Sequence, residues 1–200
     1  ASLTWNEENV LATGARGSAG RGLTELGKKA VKKINQKNML MDVSHLNDKS
    51  FWDVVSVTNR PIIASHSNCR ALCDVPRNLT DDQLRKIAET GGLVGINSFN
   101  ELVHKDEKKQ TVEMLAKHVV HMAEIMGTDH IGIGMDYCDF LDDSAMSSFS
   151  SQETSYTLGL EDASKTYNII TELEKVGFSK EEIEKIAYKN FHSMIKEIIK

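Results

Sequence analysis

The sequence lacks the features that mark several large classes of protein. Its three cysteines, Cys69, Cys73 and Cys138, are an odd number and include no CxxC pair, so neither a disulfide scaffold nor a cysteine zinc site is indicated. No apolar run approaches the roughly 18 residues of a membrane span. No GxGxxG or GxxxxGK pattern follows Gly132 and Gly134, so these glycines do not indicate a phosphate-binding loop.

The charge balance argues against a further class of protein, those that bind nucleic acids through a basic surface. Lys and Arg together number 24 against 29 Asp and Glu, which gives a net charge of −5 and argues against a nucleic-acid-binding protein with a basic surface. With 40% hydrophobic and 26% charged residues, the chain has the composition of an ordinary globular protein with a real core. The absence of a disulfide pattern favours the cytoplasm; any signal peptide would lie upstream of residue 1.

Four short apolar runs give the clearest signal of secondary structure. They are nearly continuous rather than alternating, which is typical of strands covered on both faces of a parallel sheet. Leu3–Trp5 is consistent with the tail of a fifth strand. The four runs are Met39–Ser44, Pro61–Ser65, Leu93–Asn97 and His130–Gly134.

Helical patterns separate these runs. Apolar residues recur at helical spacing between Leu26 and Ile34 and again between Val112 and Met126. Thr80–Gln83 and Ser179–Glu182 both have the pattern of a capping box at a helix start. Because strand and helix alternate, the sequence predicts an α/β fold with a parallel sheet.

Polar side chains follow the predicted strands where catalytic residues stand in βα folds. His45 follows the first run, His66 the second and Asp136 the fourth. Neutral imidazole suits zinc, so the two histidines are candidate ligands. A pair of hydrogen-bonded structural histidines is equally compatible with the pattern, because the spacing does not complete the three or four ligands of a metal site.

Three other polar residues have simpler interpretations from the residues alone. His118 and His121 lie at the edge and on the polar face of the Val112–Met126 helix, which favours a solvated face. Arg77 lies in the loop beyond the His66 strand, where it could hold a substrate carboxylate with two parallel hydrogen bonds. A surface salt bridge is the favoured alternative for Arg77 at this point.

Taken together and in order, these segments resemble the membrane (renal) dipeptidase family of zinc metallopeptidases. Each motif alone is weak, but the ordered set is specific and runs over essentially all 200 residues. The matching segments are Leu40–His45, Pro61–Ser67, Pro76–Asn78, His130–Asp136, Gly159–Asp162 and Lys189–Phe191.

The resemblance implies a (β/α)8 TIM-barrel-like metallohydrolase with two zinc ions at the carboxyl face, which hydrolyses dipeptides by a metal-bridged hydroxide. It assigns His45 and His66 as ligands of one zinc. It assigns Arg77 to the substrate carboxylate, and Asp136, as the catalytic residue, to the substrate amino group and the metals.

Three departures from the family pattern concern the site. The family's other zinc ligands, a His-x-Asp element and a bridging Glu, have no counterpart in the sequence. The substrate-contacting His of the family's Leu-Thr-His element is replaced in the segment Leu3–Asn6, so Trp5 or Asn6 is expected to line the substrate site; we assign Asn6 to substrate binding. Phe99 stands where the family has a tyrosine.

We therefore expect residues 1–200 to form the C-terminal part of a single barrel domain, with about the last five βα units. The steps between the four runs average about 30 residues, so eight units need roughly 240. On this expectation the chain alone is inactive and poorly soluble.

Two other functions stay open beside zinc-dependent dipeptide hydrolysis. A related amidohydrolase-type enzyme would act on a cyclic amide or lactone and would not need Arg77 for a free carboxylate. A metal-free binding protein would keep the fold alone. The expected partners are a dipeptide substrate and a second copy in a possible homodimer, with no nucleic acid and no membrane span.

Overall fold

A computed structural model describes residues 1–146, 150, 152 and 156–198. Within these residues, parallel strands form one sheet in chain order. In this order, Met41 pairs with Ile62, Ile63 with Leu93, and Val94 with Ile131. The strands are β1 (Met41–Asp42), β2 (Ile62–Ala64), β3 (Leu93–Ile96) and β4 (Ile131–Ile133).

Helices connect and flank these strands. They are α1 (Glu25–Gln36), α2 (Asp48–Val57), α3 (Asp81–Glu89), α4 (Asn100–Val103), α5 (Val112–Met126), α6 (Asp143–Met146), α7 (Tyr167–Lys175), α8 (Lys180–Glu184) and α9 (Asn190–Ile198). Short 3₁₀ turns occupy Glu107–Lys109, Thr128–His130 and Ala163–Lys165, and a π-helical segment occupies Lys185–Lys189. In the part of the chain that the structure describes, no helix has the length and apolarity to cross a bilayer.

The predicted α/β class with a parallel sheet is confirmed. The four apolar runs contain the four strands, although each strand is shorter than its run. The predicted fifth strand at Leu3–Trp5 does not form. This segment contributes instead an isolated parallel bridge between the neighbouring Ser2 and Asp42. Both predicted capping boxes form, with Thr80 and Ser179 as the N-caps of α3 and α8.

The sheet is covered on both faces. Ile62, Ala64 and Val94 belong to the main core, together with buried residues of α1, α2, α3, α5 and α7. Ile63 and Leu93 belong to a second cluster with Met194 and Ile198 of α9. Because successive residues of a strand point to opposite faces, this double burial accounts for the nearly continuous apolar runs.

The Lys189–Phe191 segment attaches α9 to β4. The Asn190 amide donates to the carbonyl oxygens of Thr128 and Ile131, both at 2.8 Å. The ring of Phe191 packs where a side chain at Gly132 would lie. This segment therefore has a structural role distant from the histidine-bearing loops.

The interpretation of His118 as a solvated residue is wrong. Its side chain is fully buried, its Nδ1 accepts from the backbone N–H of Cys69 at 3.1 Å, and its Nε2 donates to the carbonyl oxygen of Val103 at 2.9 Å. The loop after β2 and helix α4 cover this edge of α5, which helical periodicity alone cannot show. His121 is half-buried beside Asp81, at 2.8 Å.

Candidate active site

The two predicted histidines meet beyond the carboxyl ends of β1 and β2. The Nε2 atoms of His45 and His66 lie 2.8 Å apart, and their ring centroids are 4.8 Å apart. Burial, the Arg77 charge and His66 lower the pKa of His45 to about 3. Burial and the Arg77 charge also lower the pKa of His66. Both rings are therefore neutral near pH 7, which is the form that binds a metal.

Two glycines make room for the loop that carries His66. A Cβ atom at Gly95 would lie 2.1 Å from the carbonyl oxygen of Ser65, and one at Gly134 would lie 1.9 Å from the same oxygen. Only hydrogen atoms at both positions leave space for this carbonyl group. The peptide that precedes His66 is thus fixed against β3 and β4.

Asp42 is a charged residue at the end of the otherwise apolar strand β1. Burial tends to raise the pKa of Asp42, but hydrogen bonds from Ser44 and Ser65 outweigh it and hold the pKa below its ordinary value. The carboxylate accepts from both the backbone N–H and the hydroxyl group of each serine. Asp42 thereby ties together the loops that precede His45 and His66.

Arg77 points at the histidine pair rather than at a surface carboxylate. Its Nη2 lies 3.5 Å from Nε2 of His45 and donates to the carbonyl oxygen of His66 at 3.2 Å. Its Nη1 is buried and has no hydrogen-bond partner within the described ranges. Burial lowers the pKa of Arg77 to about 10, with Asp136 and Asp42 acting in the opposite direction, so the guanidinium stays charged at neutral pH. The favoured alternative, a surface salt bridge, is not what the structure contains.

Asp136 follows β4 in a left-handed backbone conformation, with a φ of 61°. Few residues other than glycine adopt this conformation, although Asp tolerates it better than most. Its Oδ2 accepts from the Asn97 amide at 3.2 Å. The side chain is exposed at the rim of the cavity, where it can meet a ligand.

Three buried asparagines join the loops that carry these residues. The Asn68 amide donates to the carbonyl oxygen of Asn97 at 2.9 Å. Asn97 N–H donates back to Asn68 Oδ1 at 3.0 Å, and Asn68 N–H donates to Asn78 Oδ1 at 3.2 Å. Since Asn78 follows Arg77 and Asn97 contacts Asp136, the network fixes the two charged residues relative to each other.

A cavity of about 420 Å³ opens at these residues. Both Trp5 and Asn6 lie in its wall, as does Phe99. The exposed indole of Trp5 lies 6.4 Å from the His45 ring, whereas Asn6 Oδ1 lies 2.9 Å from His45 Nδ1. The cavity lining thus includes four of the predicted residues, and His66 contacts the cavity-lining His45 through Nε2. These four are Asn6, His45, Arg77 and Asp136.

The imidazole nitrogens of His45 and His66 suit zinc in type and orientation, but two ligands alone do not complete a zinc site. The two Nε2 atoms converge, and each Nδ1 has a hydrogen-bond partner, Asn6 Oδ1 or Ser65 Oγ, as is usual for metal-binding histidines. Zinc takes three or four protein ligands. Among the described residues, no group of three or more His, Cys, Asp or Glu side chains could hold a metal ion.

Sequence reasoning missed Asp42, Asn68 and the role of Asn97. A charged residue at the end of an apolar strand is itself a signal, because a buried carboxylate needs hydrogen-bond donors. Asp42 could have been singled out in this way. Asn97 stands at the end of the third apolar run, but its contacts with Asn68 and Asp136 leave no pattern in the sequence. Asn68 gave no signal, since asparagine is common in loops.

Comparison with known proteins identifies the family. The family model of membrane dipeptidase (peptidase family M19) matches residues 1–200. The chain belongs to this family.

Individual relatives agree with this membership. The chain is 32% identical over 177 residues to dipeptidase tcpJ of Claviceps purpurea, covering 88% of this chain and 39% of the fungal protein. It is 39% identical over 142 residues to a Klebsiella pneumoniae protein from the pqqA 5′ region, covering 66% and 52%. A solved metallopeptidase from Rhodobacter sphaeroides, liganded with a phosphinate mimic of the dipeptide L-Ala-D-Ala, is similar with a TM-score of 0.84 and 28% identity.

The chain spans about half or less of the length of these curated relatives. The region that superimposes on the bacterial metallopeptidase covers 98% of this chain and 54% of that protein. Its sheet therefore corresponds to part of the TIM-barrel-like fold of the membrane dipeptidases. Membership of the family makes the chain dipeptidase-like, and the metallopeptidases among its solved relatives imply a metal cofactor.

Proposed function

We propose that the whole protein hydrolyses dipeptides with zinc, and that this chain supplies two zinc ligands and the groups that hold both ends of the substrate. The observation that carries the proposal is Arg77. A buried guanidinium with an unpartnered Nη1 lies 3.5 Å from the histidine pair and faces a cavity of about 420 Å³. A carboxylate is the ligand that such a group binds best.

The cavity lining carries both of the charges that would recognise a dipeptide. Arg77 binds the substrate carboxylate, and Asp136 accepts hydrogen bonds from the substrate ammonium group at the rim. A peptide bond between these two ends lies next to His45. The dipeptide mimic bound by the Rhodobacter sphaeroides metallopeptidase supports the same substrate class.

His45 and His66 are the residues that would hold zinc. When bound, zinc supplies Lewis acidity that polarises a carbonyl group and activates water at neutral pH. Asn6 holds the His45 ring through Nδ1, and the exposed ring of Trp5 lies 6.4 Å from it. The 200 residues alone are expected to be inactive, because zinc catalysis needs more ligands than two imidazoles.

Replacement of Arg77 by Met in the whole protein tests the proposal. Loss of charge-assisted hydrogen bonds worth about 1.5–3 kcal/mol should raise the KM for L-Ala-L-Ala by about 10- to 150-fold. The matched control is Arg85→Met, because Arg85 is exposed on α3 and pairs with Asp82. It should leave KM unchanged.

Two results would contradict the proposal. An unchanged KM in Arg77→Met would favour the amidohydrolase-type enzyme that acts on a cyclic amide or lactone. Fewer than one zinc ion per chain in the purified whole protein, with no dipeptide cleavage, would favour a metal-free binding protein.

A further inference from the structure

The hydrogen bonds around Asp42 determine where the Ser65 proton lies. The Asp42 carboxylate can only accept hydrogen bonds. The Ser44 hydroxyl lies 2.6 Å from Oδ1 and the Ser65 hydroxyl 2.5 Å from Oδ2. Each hydroxyl has one proton, so both protons point at the carboxylate.

This assignment determines the tautomer of His66. Ser65 Oγ lies 2.7 Å from His66 Nδ1. Since the Ser65 proton is used by Asp42, Ser65 Oγ accepts a hydrogen bond, and Nδ1 of His66 carries the proton that makes it. Nε2 of neutral His66 is then unprotonated, and its free electron pair is directed at His45.

The two histidines differ in this respect. The partner of His45 Nδ1 is the side-chain amide of Asn6, and an amide can present either its oxygen or its NH₂ group after rotation. His45 can therefore change tautomer, whereas the chain from Asp42 through Ser65 leaves His66 one choice. When no metal is bound, His45 Nε2 then carries a proton and donates it in a hydrogen bond to His66 Nε2, 2.8 Å away.

We propose that Asp42 is a positioning residue of the metal site, which acts through Ser65 to keep His66 Nε2 unprotonated and directed at the metal. The inference rests on the proposed function only in taking His66 as a zinc ligand. Partners of this kind typically change metal affinity by about 10- to 100-fold when they are replaced.

The decisive variant is Asp42→Asn in the whole protein. The asparagine oxygen takes the place of Oδ1, which accepts from Ser44 and from the Ser65 backbone N–H. Its NH₂ group then faces Ser65 Oγ and donates to it. The Ser65 proton turns to His66 Nδ1, and the tautomer is reversed with little change in shape.

Two measurements follow this reversal. In zinc-free protein with ¹⁵N-labelled histidine, NMR should show the His66 proton on Nδ1 in the wild type and on Nε2 in Asp42→Asn. Titration with zinc alone should show affinity lower by about 10- to 100-fold. Asp53→Asn on α2 is the matched control, because it makes the same change in a carboxylate that accepts from Lys49 and from the Leu23 N–H, and both readouts should match the wild type.

An Asp42→Asn protein that keeps the His66 proton on Nδ1 and the wild-type zinc affinity would overturn the proposal. If this variant does not fold, Ser65→Ala decides: mixed His66 tautomers with weaker zinc binding support the proposal, and an unchanged tautomer and affinity refute it. These readouts do not depend on peptide cleavage. Dipeptidase activity could be absent while the tautomer reverses as stated, and the proposed function alone would then fail.

Discussion

Single residues at the site combine burial with defined hydrogen-bond partners. Asp136 keeps a left-handed backbone conformation, which costs free energy for a residue with a Cβ atom. Its contact with Asn97 at 3.2 Å helps to hold it there. In this conformation the Asp136 carboxylate lies exposed at the cavity rim.

His118 shows how a buried residue couples stability to pH. Burial lowers the pKa of His118 to about 4, and the Val103 carbonyl opposes this effect. Protonation of Nδ1 would also break the bond from the Cys69 N–H. Because the folded pKa is below the unfolded value, the stabilisation is complete above pH 6.5 and is lost as the pH falls from 6.5 towards 4.

We predict that the free energy of unfolding falls over this pH range and that His118→Gln reduces the fall. The His118 contribution is about 3 kcal/mol, and the lowered pKa values of His45 and His66 act in the same direction. Urea unfolding between pH 7 and 4 measures the effect. Ser193→Gln, at an exposed position on α9, adds and removes no titratable group and should leave the pH dependence as it is. An equal slope in wild type and His118→Gln would disprove the assignment.

At the scale of elements, the strands were predictable because they are buried on both faces. Their short, nearly continuous apolar runs indicate strands rather than helices. Thr80 and Ser179 mark the starts of helices through their capping boxes. The Leu3–Trp5 strand failed because three residues contain no periodicity to establish pairing. Contacts between loops, such as Asn68 with Asn97, depend on tertiary approach and leave no pattern in the sequence.

Packing of β3 and β4 against the Ser65 carbonyl group leads to a prediction about Gly134. A Cβ atom there would lie 1.9 Å from this oxygen, so Gly134→Ala must displace the peptide that carries His66. We expect the free energy of unfolding to fall by about 1–3 kcal/mol and zinc binding to weaken. Chemical denaturation and zinc titration measure the two effects.

Gly20→Ala is the matched control, since nothing lies within 4 Å of a Cβ atom at that exposed glycine. It should change the stability by less than about 0.5 kcal/mol. Wild-type stability and zinc affinity in Gly134→Ala would contradict the role given to this close packing.

At the scale of the whole molecule, the carboxyl ends of the parallel strands bring together residues that are distant in sequence. His45, His66, Arg77 and Asp136 were predicted from their positions after strands and from the family resemblance. The structure places His45, Arg77 and Asp136 around a common cavity, with His66 in contact with His45. It adds the Asp42 and asparagine networks that support them. On the proposed function, the described residues would supply two imidazole ligands and charged groups for both ends of a substrate, and a complete zinc site would need further ligands.

The proposed function depends on zinc bound at the pair of His45 and His66. Anomalous X-ray diffraction at the zinc edge, on crystals of the whole protein, tests this most directly. We predict a peak about 2.0–2.1 Å from Nε2 of both His45 and His66. A zinc-loaded protein without a peak at these two atoms would contradict the account.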